Sequence, residues 1–178
     1  MADVVLAPGG KFGPAAGMLM YAAAVPERRG ATVYRHEWSR KPSNPFEPDI
    51  ERWVCAELAP AMGRCRLVIG KSLGSNAARL AARRAVPAIW LTPTLTLPWV
   101  VDALDRPTAP FLLVGGTADT TWWDGATARR LTPHVLEIED ADHGLMMPGP
   151  VRETITALSR MIIAMDEFLD VIEWKERP

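Results

Sequence analysis

Short apolar, β-rich runs alternate with helical stretches six times along this chain, and that alternation constrains the fold more than any other feature. A strand returned to its neighbour through a helix runs parallel to it, and the helices pack on the sheet faces. The runs are Asp3–Ala7, Ala31–His36, Cys65–Ile69, Pro87–Leu91, Phe111–Val114 and Val135–Ile138. The first, third, fourth and fifth are continuously apolar, as strands covered on both faces read. Helices are predicted over Pro14–Val25, Ile50–Leu58, Ser75–Ala85, Trp99–Leu104 and Trp123–Leu131. A last helix follows Pro150, with Val151, Ile155, Leu158, Ile162, Met165 and Leu169 forming one apolar face. The tail from Trp174 is expected to fray. The expected fold is α/β: a doubly wound, mostly parallel six-stranded sheet with helices on both faces, in one domain over residues 1–178. A TIM barrel, at about 250 residues, does not fit this length.

Composition narrows the function classes. Twenty Lys and Arg against 21 Asp and Glu leave a net charge of −1, so no bulk positive field exists to hold nucleic acid or an anionic membrane. No apolar run approaches the roughly 18 residues of a membrane span. The start, Met1–Gly10, lacks the basic and apolar regions of a signal peptide. Two cysteines, Cys55 and Cys65, are too few for a disulfide framework and are expected as buried thiols in a reducing cytosol. With no Cys/His cluster around them, no metal and no cofactor are expected.

The sharpest local feature is Gly70-Lys71-Ser72-Leu73-Gly74, which matches G-x-S-x-G between a predicted strand and a predicted helix. In that context the serine sits on a strained turn, small neighbours let the backbone approach itself, and the helix N-terminus faces a developing oxyanion. Gly70-Lys71-Ser72 also resembles the end of a phosphate-binding loop. That motif needs glycine at position 65, where this chain has Cys65, and a loop where it has the strand Arg66–Ile69.

A serine hydroxyl needs a base. Of three histidines, His36 and His134 fall on or beside strands, whereas His143 follows the sixth strand in Asp140-Ala141-Asp142-His143-Gly144. Loops after parallel strands gather at one sheet edge, where ligands bind, so His143 is the candidate base. The acid that orients it is expected to be Asp119, which closes the fifth strand. Asp102, Asp140 and Asp142 are rivals. Asp102 lies in a predicted helix, and the other two would need a tight local turn to reach the His143 ring.

The resulting order, Ser72, Asp119, His143, resembles that of the α/β-hydrolase superfamily. The likeness extends over nearly the whole chain: the first strand with Pro8-Gly9-Gly10, the turn at Gly70–Gly74, Gly116-Thr117-Ala118-Asp119, and Asp142-His143-Gly144. It is most similar to the small, dienelactone-hydrolase-like serine hydrolases. The resemblance implies strand order 2-1-3-4-5-6, with the ligand crevice between the strands ending in Pro8-Gly9-Gly10 and in Ser72. It implies backbone N–H donors to an oxyanion at Leu73 and at Gly10 or Lys11, although Pro8-Gly9 stands where relatives often carry His-Gly. It also implies a serine hydrolase acting on a carboxylic ester, lactone or thioester. Thr92–Pro110 has room for only a short helix, where many relatives insert a lid.

Large apolar residues follow the candidate catalytic positions: Phe12, Trp99, Trp122, Trp123 and Met146, with Leu95 and Met147 beside them. They point to an apolar or aromatic pocket for a small-molecule substrate. Adjacent Trp122 and Trp123 face different ways on any regular element, so at most one is expected in the cleft. Lys71 either draws an anionic substrate or points into the structure. Two other functions stay open: a non-catalytic binding protein with this fold, and a lyase or acyltransferase using the same three residues.

Overall fold

The computed structural model describes residues 2–11, 13–15, 17–40, 42, 44, 46–47, 49–106 and 108–175. Six strands form one sheet: β1 (Val4–Ala7), β2 (Val33–Arg35), β3 (Leu67–Lys71), β4 (Ala88–Leu91), β5 (Phe111–Gly116) and β6 (Val135–Ile138). Their order is β2-β1-β3-β4-β5-β6, and every neighbouring pair is parallel. The chain leaves β1 toward one edge, returns through β3 and then proceeds to the other edge. The crevice between the C-terminal ends of β1 and β3 is therefore the topological switch point, where ligands bind in open α/β sheets.

Alternation along the strands divides the core in two. Val4, Leu6, Leu67, Ile69, Ile89 and Val114 face one layer, closed by α1 (Met18–Arg28) and α6 (Val151–Val171). Val5, Ala7, Val68, Trp90 and Leu113 face the other, closed by α2 (Ile50–Leu58), α3 (Ala78–Arg83), α4 (Pro98–Leu104) and α5 (Gly125–Leu131). The inner strands β1, β3, β4 and β5 are almost wholly buried, as their continuous apolar runs require. Among the described residues between β4 and β5, α4 is the one helix.

Several boundaries differ from the sequence expectation, each for a local reason. Helix α1 begins at Met18, because Gly17 before it holds φ 54°, outside the helical region. Helix α5 begins at Gly125: Trp123 is used to cover the sheet, and Asp124 caps the N–H groups of Ala126 and Thr127. The helix expected over Ser75–Ala85 is a 3-10 segment over Ser72–Ala77 followed by α3. On α6 the buried stripe is Thr154, Ala157, Met161, Met165, Phe168 and Leu169, while Val151 and Ile155 are exposed. Periodicity gave the helix but rotated its face, because apolar residues occur on both sides of it. Trp174 does not fray: its indole N–H donates to the Arg29 carbonyl, and Arg66 stacks over its ring at 4.4 Å.

Candidate active site

The C-terminal ends of β3, β5 and β6 bring the three predicted residues together. Ser72 directly follows β3 and has φ 50°, in the left-handed region that a β-carbon disfavours by about 1–2 kcal/mol. Two glycines make this turn possible. A β-carbon at Gly70 would stand 2.5 Å from the Trp90 ring, and one at Gly74 would collide with the backbone carbonyl of Ala7. The turn after β3 is thus pressed against the end of β1.

His143 Nε2 lies 2.8 Å from Ser72 Oγ, and His143 Nδ1 lies 2.6 Å from Asp119 Oδ2. With Asp119 ionised, Nδ1 carries the proton and Nε2 accepts from the serine hydroxyl. The Asp119 side chain is almost fully buried, whereas the imidazole is about a third exposed. The Trp122 N–H donates to the second carboxylate oxygen of Asp119 at 3.3 Å.

The loops carrying Asp119 and His143 are bonded to each other. Ala118 N–H donates to the Ala141 carbonyl, and Asp140 N–H donates to Thr117 Oγ1. Asp142 shapes the His143 loop: its Oδ1 accepts from the N–H groups of Gly144 and Met146. Leu145, fully buried with φ 57°, anchors the loop from below. Of the four candidate acids, the structure brings Asp119 to His143 and gives Asp142 this shaping part.

The turn is also braced from behind. Asn76 donates from Nδ2 to the Leu73 carbonyl, and its Oδ1 accepts the Trp99 indole N–H at 2.8 Å. Ser75 Oγ donates to the Ser72 carbonyl at 2.6 Å. On the β1 side, the Trp38 indole N–H donates to the Pro8 carbonyl at 3.2 Å, and its ring packs between His36 and Trp53. Gly9 and Gly10 lie over the turn: their ideal β-carbons would stand 3.8 Å from Ser72 Cβ and 3.6 Å from Leu73 Cδ2. None of these braces was read from the sequence. The signal existed only as polar residues inside small-residue or aromatic stretches, and it becomes meaningful once their partners are known.

The predicted pocket walls divide. Trp122 is half-buried with its ring 6.4 Å from that of His143, and Phe46, missed by the sequence reading, stacks on it at 5.5 Å. Met146 lies exposed beside this loop. Trp123 is a correction: it is buried over Gly115 with its indole N–H on Glu137, because that glycine leaves a hollow in the sheet face. Trp99 faces Asn76 and packs against the core instead of standing free in a cleft. Phe12 lies outside the described residues. A groove of about 280 Å³ opens beside the β1 turn, lined by Gly9, Gly10 and Lys11 on one side and by Glu37, Trp38 and Arg40 on the other. Pro8, Gly13 and Pro14 complete its lining, so three charged side chains stand among mostly uncharged ones.

Lys71, next to the serine, is largely buried. Burial pushes its ammonium down to about 8 against the opposing pull of Asp119 and Asp142, and nearby Lys11 adds to the depression. Burial raises the Cys55 thiol to about 11 and raises Cys65 as well, so neither is a thiolate at neutral pH. Both cysteines are free, Cys65 buried and Cys55 half-buried. Among the described residues, no group of His, Cys, Asp and Glu is arranged to hold a metal ion, and no helix is long and apolar enough to cross a membrane.

The sheet order, the strained serine after β3, and the aspartate and histidine after β5 and β6 define the α/β-hydrolase fold. Solved structures of that fold cover most of the chain. One is a protein from Xanthomonas campestris pv. campestris assigned to the alpha/beta hydrolase superfamily, at 24% identity and TM-score 0.64, covering 96% of this chain and 99% of that one. Another is an α/β serine hydrolase without lid from Xanthomonas campestris, at 17% identity and TM-score 0.58, covering 94% and 83%. A third is Est1E from Butyrivibrio proteoclasticus with ferulic acid bound, at 13% identity and TM-score 0.72, covering 93% and 87%. No protein-family model matches the chain, and no curated protein matches it in sequence.

Proposed function

We propose that this chain is a serine hydrolase that cleaves a carboxylic ester, lactone or thioester through an acyl-enzyme. The observation that carries the proposal is the unbroken line from Asp119 to His143 to Ser72, at 2.6 and 2.8 Å. Ser72 Oγ attacks the substrate carbonyl while His143 Nε2 takes its proton. Asp119 holds the imidazole and stabilises the imidazolium. The backbone N–H of Leu73, with that of Gly10 or Lys11, receives the oxyanion. His143 returns the proton to the leaving alcohol or thiol, and water, deprotonated by His143, then clears the acyl group.

The aromatic pair Trp122 and Phe46 beside His143 favours a substrate with an apolar or aromatic group. The aromatic acid bound to Est1E is in keeping with that choice. Free, protonated thiols fit work in the cytoplasm.

A fluorophosphonate probe tests the proposal. Stoichiometric labelling is expected, with loss of labelling in Ser72→Ala and a fall in ester turnover of at least about a thousandfold. Absence of labelling and of ester turnover in the folded wild-type protein would overturn it. Product analysis with a competing alcohol separates hydrolysis from acyl transfer.

A further inference from the structure

We propose that Ser75, the second serine of the turn, is a positioning residue: its hydroxyl clamps and polarises the Ser72–Leu73 peptide, whose N–H faces the developing oxyanion. This rests on the serine-hydrolase reading above. The Ser72 carbonyl and the Leu73 N–H belong to one peptide group and, in a trans peptide, point in opposite directions in one plane. A donor on the carbonyl therefore sets the direction of the N–H. It also draws electron density toward the oxygen, which makes the N–H a stronger donor.

Ser75 Oγ is such a donor, 2.6 Å from the Ser72 carbonyl oxygen. The direction of its proton is set by Thr94, in the loop after β4. The Thr94 backbone N–H donates to Ser75 Oγ at 3.2 Å, and the Thr94 hydroxyl lies 3.0 Å away. With its acceptor sites facing Thr94, the Ser75 hydroxyl spends its own hydrogen on Ser72. Ser75 is fully buried and Thr94 nearly so, so water does not compete for these bonds. Serine commonly bonds back to the preceding helical turn. Here the carbonyl it reaches is that of the nucleophile itself, held at a φ of 50° that the backbone would otherwise leave. The line runs from Thr94 through Ser75 and the peptide to Leu73 N–H, and it lies outside the Asp119–His143–Ser72 line.

The test compares an ester with its thionoester on wild type, Ser75→Ala and Ser75→Cys. Sulfur is a poor hydrogen-bond acceptor, so thionoester turnover depends little on the oxyanion donors. Ser75→Ala is expected to lower kcat on the ester about tenfold, less than the loss of a donor outright, with KM within about twofold. The thionoester falls less, and the ratio between the two substrates shrinks. Ser75→Cys, with its weak S–H donor, gives an intermediate ratio and carries the comparison alone if the alanine variant does not fold. Equal losses on both substrates, a change confined to KM, or no change would overturn the inference while leaving the serine-hydrolase reading intact. A wild-type protein that turns over neither substrate overturns both.

Discussion

The two sides of the switch-point crevice are built differently. On the β3 side, the Ser72 turn is packed and held by several contacts: Ser75 on Ser72, Asn76 on Leu73, Trp99 on Asn76, and Gly74 against the end of β1. On the β1 side, the Pro8–Lys11 turn borders an open groove, and the Trp38 indole braces it at Pro8. The difference teaches how a small α/β core divides labour. The proposed nucleophile is set in packed structure, and the wall across the crevice from it is left with space and few constraints.

The largest expected effect breaks the contrast outright. Gly74→Ala drives a β-carbon into the Ala7 backbone, where no flexible side chain can yield, and should destabilise the fold by more than about 3 kcal/mol. Gly10→Ala, across the crevice, meets only ordinary contact with Leu73 and should stay within about 0.5 kcal/mol. Chemical denaturation of the two variants measures both, and similar losses would show that the sides do not differ in rigidity.

A smaller effect concerns Lys71, where the rigid side buries a charge. Its ammonium titrates near 8 in the fold, below the ordinary lysine value, so between those values the unfolded chain binds more protons. Stability therefore rises with pH across that window, and the burden of the buried charge is full below it. Lys71→Met should stabilise the protein at pH 7 by on the order of 2 kcal/mol, an advantage that shrinks as pH climbs past about 8 toward 10.5. Thermal unfolding from pH 6 to 10.5 checks this; a difference that does not vary with pH would refute it.

The smallest effect sharpens the comparison on the loose side. Trp38→Phe keeps the stack between His36 and Trp53 but removes the donor to Pro8. A stability loss of about 1 kcal/mol is expected, with the N–H groups of the 9–11 turn exchanging faster in hydrogen exchange. Unchanged exchange there would mean that packing alone holds the turn.

Much of this was legible in the sequence because it depends on local pattern. Continuous apolar runs announced β1, β3, β4 and β5, and Ser72, Asp119 and His143 stand where strands end. Trp122 and Trp123 were not separable by pattern. One lies beside the His143 ring and the other fills the hollow at Gly115, and a sequence does not state which way a loop turns. The buried stripe of α6 was misplaced for the same kind of reason: its apolar residues fall on two faces, and packing against β5 and β6 selects one.

The sequence by itself determined a parallel α/β sheet, through the alternation of strands and helices, and the nucleophile, base and acid candidates, through their places at strand ends; the strand order was implied by the family resemblance. Only the tertiary structure decided that Asp119, and not Asp142, meets His143, that Trp99 and Trp38 brace turns, and that Ser75 reaches the Ser72 carbonyl. Those are contacts between residues far apart in the chain or on either side of a strained turn. Hydrogen bonds act over about 3 Å, a scale that strand and helix periodicity does not resolve.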